Sequence, residues 1–184
     1  VLFRSDVLRT IHLPRQVVRK VSPHLSLADF ILPVDKRTDA VPHDWLGLFA
    51  VSAGLHANAL VEAAKAAGDD YNAIMIRLLC DRLAEAYAEW LHLRIRRMDW
   101  GYMSEEALTL EDLFHEKYVG IRPAPGYPAC PDHALKRDIL DVLDPDGKTG
   151  ITLTGSNMLV PVSSVAALVF ASHKAGYFDA REGV

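Results

Sequence analysis

Residues 70–98, DYNAIMIRLLCDRLAEAYAEWLHLRIRRM, decide the class of fold. Ile76, Leu79, Leu83, Ala86, Trp90 and Leu93 recur at steps of three and four, the period of one helical face. The spacing predicts one long amphipathic helix. Asp70 is placed to cap its start and Gly101 to close it. Asp81, Glu85, Glu89 and His92 share a polar face, at i, i+4, i+8 and i+11. Like charges four apart destabilise a helix slightly, so Arg82 is expected to offset them. Arg94-Ile95-Arg96-Arg97 reads as a solvated helix end.

Upstream of this helix, residues 1–26 are weakly patterned. Leu27 to Val34 is apolar up to Pro33 and reads as a short strand or extended lead-in. Residues 35–43 are a loop. Trp45 to Leu55 holds a strand, with Gly47 and Gly54 marking close backbone approach. Residues 57–67 read as a short helix that Gly68 ends. Downstream, a second helix is expected over 104–118, starting at Ser104 or at Thr109 with Asp112. Gly120 to His133 carries four prolines, which exclude a helix or central strand. Its apolar content favours an ordered loop over a linker. A short helix over 134–143 and a turn at Asp144 to Gly147 follow. Ile151–Thr154, Met158–Val162 and Val165–Ala171 read as strands. Helices and adjacent strands mixed in this order make the fold class α+β.

Composition narrows the function. The chain has 184 residues, enough for one domain with a buried core. A net charge of −4 and the lack of a basic patch argue against nucleic acid as a partner. No apolar run reaches the ~18 residues of a membrane span. The start, Val1-Leu2-Phe3-Arg4-Ser5, has no apolar leader core and no initiator Met, so a fragment is expected. Two cysteines, Cys80 and Cys130, form no disulfide or zinc pattern; Cys80 lies in an apolar run and reads as a buried thiol. The expected compartment is the cytoplasm.

Glu89-x-x-His92 has the form of half a di-iron pair, but no second Glu-x-x-His accompanies it. These side chains read either as a solvated polar face or, for Glu85, as a cleft carboxylate. Cys130 and His133 are at most half a zinc site. No metal site is expected. Nucleophile elbows, phosphate loops and dinucleotide fingerprints are absent. Arg122 is the most suggestive residue. It stands in a proline-rich loop, and its planar fork suits a carboxylate. Gly126 would allow close backbone approach to a ligand. The residues themselves leave two readings of Arg122 open, a ligand contact and a structural ion pair.

Two blocks carry a resemblance. Asp69 to Tyr102 and Gly120 to His133, with its Arg122-x-x-x-Gly126-Tyr127 pattern, look like the activation domain of cobalamin-dependent methionine synthase. Leu27-Ala28-Asp29-Phe30, Phe49-Ala50-Val51, Ser172-His173 and Tyr177-Phe178 extend the similarity over most of residues 27–178. The resemblance implies a C-shaped α+β domain around a twisted antiparallel sheet. It implies an S-adenosylmethionine site and a role in methionine biosynthesis, supporting the reductive methylation that returns cob(II)alamin to methylcobalamin. The enzyme is a methyltransferase, and this domain is expected not to be catalytic alone.

The family's ligand residues carry over one by one. Asp44, before Trp45, is expected at the amino group and Arg122 at the carboxylate. Tyr177 and Phe178 are expected around the adenosyl part and the ligand's backbone. Glu85 and Glu116 match acidic positions near the sulfonium, with Tyr127 beside them and Gly126 in the same loop. Methyl transfer removes the sulfonium charge, so a tight ion pair would hold the ground state; acidic groups are expected near it without tight contact. The implied partners are a cobalamin-binding domain and flavodoxin or a diflavin reductase as electron donor. Zinc belongs to a homocysteine module that this sequence lacks. Two departures stand out. Ala166-Ala167-Leu168 follows Ser163-Ser164-Val165 where the family has Ser-Gly and an aromatic, and the family's C-terminal helical tail is missing. The alternatives are a stand-alone docking module for a separate cobalamin protein and a homologue that no longer binds the ligand.

Overall fold

The computed structural model describes Val7, residues 9–17 and residues 23–180. Val1 to Ser5 and Val184 lie outside the described residues. Strand β1 is Gly47–Ser52, followed by helices α1 (Ala57–Ala66) and α2 (Asp70–Arg94). Helix α3 is Leu110–Phe114 and α4 is Leu135–Leu143. Strands β2 (Thr152–Leu153), β3 (Leu159–Val160) and β4 (Ser164–Val169) close the order. The class is α+β, as expected. The strands form two antiparallel pairs, β1 with β4 and β2 with β3.

The β1–β4 ladder is the middle layer. Gly47 faces Val169 and Ser52 faces Ser164. Successive strand side chains point to opposite faces, and β4 is buried on both. Ala166, Leu168 and, just beyond, Phe170 pack with Ile139 of α4, Leu27 and Phe30. Ala167 and Val169 turn the other way, onto Phe49, Val51 and Ala88 of α2. The departure at 166–168 thus falls in the core. Small side chains at Ala167 and Ala88 bring helix and sheet together. Each fully buried Leu or Phe here contributes roughly 1.5–3 kcal/mol.

The proline loop adds a further layer edge. Ile121 and Phe170 exchange two backbone hydrogen bonds at 3.0 Å, and the Leu168 N–H donates to Pro123 O at 3.1 Å. Pro123, Pro125 and Cys130 are fully buried. Proline is tolerated at a sheet edge, where its missing N–H faces away from the ladder. The loop is ordered, as its apolar content implied.

The long helix forms as predicted, but it buries a different face. Ala73, Ala84, Ala88 and His92 are its buried residues. Leu79, Leu83 and Trp90 are half or more exposed, at 57%, 59% and 50%. Alanines let the helix lie close to the sheet, and close packing outweighs the size of the leucines. Asp69, not Asp70, is the cap, accepting from the Asn72 N–H at 2.9 Å. The last turn widens to a π-helix over Ile95–Asp99. That turn rotates Arg96 inward, where it is fully buried against Glu106 at 2.8 Å, so this helix end is not solvated throughout. Gly101, at φ +72°, ends the element.

Three further expectations change. Leu27–Phe30 is a 3₁₀ turn and not a strand, because Ser26 and Asp29 form a capping box. The helix expected over 104–118 shrinks to α3, which starts at Thr109 with its own box to Asp112. Cys80 is half-buried, while Cys130 is fully buried. No helix among the described residues is long and apolar enough to cross a membrane.

Candidate functional site

A groove of about 1100 Å³ runs between α2, α3 and the proline loop. Phe49, Val165 and Ala167 of the ladder form its floor, and Glu85, Ala88, Glu89 and Trp90 of α2 one wall. Arg122, Pro123, Ala124 and Tyr127 form the opposite wall. Leu113, Phe114 and Glu116 close one rim, and Tyr177 and Phe178 another. The groove is mostly apolar, with a few polar groups converging on it, the pattern of a small-molecule site.

Of the residues proposed from the sequence, Arg122, Tyr177, Phe178, Glu85, Glu116 and Tyr127 all line this groove. Asp44 does not. Its carboxylate accepts from the Leu32 N–H at 2.5 Å and the Trp45 N–H at 2.8 Å, beside the start of β1. Gly126 has φ +100°, and a Cβ there would collide with the His133 ring. Its need for glycine is internal to the loop. Glu85 pairs with Arg82 at 2.7 Å, the offset expected from their spacing. Glu116 adopts φ +52° just after α3, a backbone region that non-glycine residues rarely occupy.

Arg122 is held firmly. Its backbone N–H donates to the Tyr177 hydroxyl at 3.0 Å. Its guanidinium donates to Glu89 at 2.5 Å and Tyr118 at 3.1 Å, and lies 3.0 Å from His92 Nδ1. Burial works against its charge, but Tyr118, Glu89 and Tyr177 more than offset this and raise its pKa. His92 is pushed the other way, down to about 2, by burial first and then by Arg96 and Arg122. It is therefore a neutral imidazole. Burial likewise raises the Tyr102 hydroxyl to about 12 and the Cys130 thiol to about 11.

Glu89, His92 and Tyr118 are the partners of Arg122 that sequence reasoning did not assign. The signal was present in Glu89-x-x-His92, whose two side chains both reach Arg122. Among the described residues, no three of His, Cys, Asp and Glu gather as metal ligands.

The family model described as the activation domain of vitamin B12-dependent methionine synthase matches residues 3–182. The chain belongs to this family. A solved structure, the MetH reactivation domain bound to AdoHcy, superposes with a TM-score of 0.89 at 42% identity. The match covers 96% of this chain and 54% of that one. This activation domain thus spans about half the length of the solved chain it resembles. The groove belongs to a reactivation-domain fold, and that solved relative holds AdoHcy.

Proposed function

We propose that this activation domain binds S-adenosylmethionine in the groove and presents its methyl group to a cobalamin held on another domain of methionine synthase. The observation that carries the reading is Arg122. It is a positioned cation at the wall of an apolar groove, next to aromatic side chains, in a fold whose relative holds AdoHcy. S-adenosylmethionine differs from that ligand by one methyl group and its charge.

In this reading Arg122 takes the carboxylate, and Tyr177 and Phe178 flank the adenosyl part. Glu85 and Glu116 supply negative charge near the sulfonium, with Tyr127 beside them. Glu85 already pairs with Arg82, so its pull on the ground state is tempered. The family resemblance assigns the amino group to Asp44, which stands outside the groove lining and is tied to Leu32, two residues from Phe30, the ring that packs on Phe178 at 6.3 Å. Cobalamin, when docked, supplies the metal that accepts the methyl group. The chain itself binds, orients and shields the donor, and is not catalytic alone. The electron donor is flavodoxin or a diflavin reductase. Two free cysteines fit a reducing cytoplasm.

Calorimetric titration with S-adenosylmethionine tests this. A charged hydrogen bond contributes about 1.5–3 kcal/mol, so Arg122→Ala is expected to weaken binding roughly 10- to 150-fold. Absence of saturable binding by a folded chain would overturn the reading.

A further inference from the structure

Glu89-x-x-His92 is the motif of α2 that the proposed ligand contacts leave unused. A spacing of three puts both side chains on one helical face, and both reach Arg122. Its NH2 donates to Glu89 Oε2 at 2.5 Å, and NH1 lies 3.0 Å from His92 Nδ1. Tyr118 Oη accepts from NH1 at 3.1 Å. A guanidinium has about five N–H donors, and these contacts use three. Nε–H and one NH2 hydrogen are left over. That is enough to take a carboxylate in bidentate fashion.

His92 is held in turn. Arg96 NH1 lies 3.0 Å from the same Nδ1, and Glu106 closes on Arg96 at 2.8 Å. Two guanidiniums aimed at one ring nitrogen require it to accept, which places the imidazole proton on Nε2. From Glu106 through Arg96, His92 and Arg122 to Glu89, the charges run minus, plus, neutral, plus, minus. Two cations therefore stand close together, each with its own anion and a shared acceptor.

We propose that Glu89 and His92 are positioning residues that hold Arg122 with its spare donors turned to the groove, and so set affinity for the ligand's carboxylate. The inference rests on the reading of the groove as an S-adenosylmethionine site. An arginine already immobilised loses less freedom when a ligand arrives.

The test is calorimetry with S-adenosylhomocysteine and, separately, with 5′-methylthioadenosine, which keeps the adenosyl thioether but has no carboxylate. Glu89→Gln is expected to weaken S-adenosylhomocysteine on the order of tenfold and to leave 5′-methylthioadenosine unchanged. His92→Leu is expected to act the same way, and His92→Asn, which returns an acceptor near Nδ1, to restore most of the loss. Unchanged S-adenosylhomocysteine affinity in Glu89→Gln, in a parent that binds and loses binding with Arg122→Ala, overturns the positioning role and leaves the ligand site intact. Tighter binding in Glu89→Gln also overturns it, because Glu89 would then compete with the ligand for Arg122. A parent that binds neither compound overturns the site reading as well. Should His92→Leu fail to fold, Glu89→Gln at its half-buried position decides alone.

Discussion

Arg96 NH1 lies 3.0 Å from Nδ1 of His92, one helical turn earlier in the chain, and both residues are fully buried. A buried arginine stays charged, so the histidine beside it stays neutral. This relationship ties the stability of the domain to pH through a group far below its usual range.

The sign follows from the two states. An unfolded histidine titrates near about 6.5, and native His92 near about 2. Above the unfolded value neither state is protonated, and His92 adds nothing to pH dependence. Below it the unfolded chain gains a proton that the native chain refuses. Its contribution to stability then falls by up to about 1.4 kcal/mol per pH unit as the pH drops from about 6.5 toward about 2. Urea unfolding at neutral and mildly acid pH should show a shallower loss in His92→Asn than in the parent. Equal slopes would sink the assignment of a neutral His92.

Arg96 and Glu106 have side-chain exposures of 0% and 3%. Removing one member of such a pair strands the other charge in the core. Arg96→Met should therefore cost about 3–5 kcal/mol, measured from the urea midpoint. A loss under about 1 kcal/mol would place this pair in the class of solvated surface bridges.

Gly68 and Gly126 make a matched pair. Gly68 has φ +72° with open space around it, so Gly68→Ala should cost roughly 1–2 kcal/mol for backbone strain alone. At Gly126 the strain is joined by collision with His133, and overpacking adds about 1–3 kcal/mol. Thermal melting should rank Gly126→Ala well below Gly68→Ala. His133→Ala should recover the packing part in the double variant, and additive losses would exclude the contact.

The inverted face of α2 is open to the same kind of check. Leu83, 59% exposed, should tolerate Leu83→Gln within about 0.5 kcal/mol. Ala88, 4% exposed against Ala167, should not tolerate Ala88→Leu, which overpacks the helix–sheet contact by about 1–3 kcal/mol. The reverse order in chemical denaturation would mean that the leucine stripe faces the core.

Much of the molecule is legible in the sequence alone. The long helix, the β1 strand, the ordered proline loop and the α+β class follow from periodicity, proline density and turn residues. These are local properties, set by sterics and hydrogen bonding within a few residues of chain. Six of the eight residues marked for the ligand lie along one groove. Asp44 lies outside its lining, and Gly126 serves His133.

What the sequence could not decide was which side of a local element meets the rest of the chain. Periodicity places Leu79, Leu83 and Trp90 on one stripe and Ala84, Ala88 and His92 on another, but it carries no information on which stripe the sheet accepts. That choice depends on the surface presented by β4, where Ala167 leaves room for Ala88 and not for a leucine. The partners of Arg122 are of the same kind. Glu89 is 33 residues away in the chain and His92 is 30, and only the packing of α2 against the proline loop brings a carboxylate, an imidazole and a guanidinium within hydrogen-bonding distance.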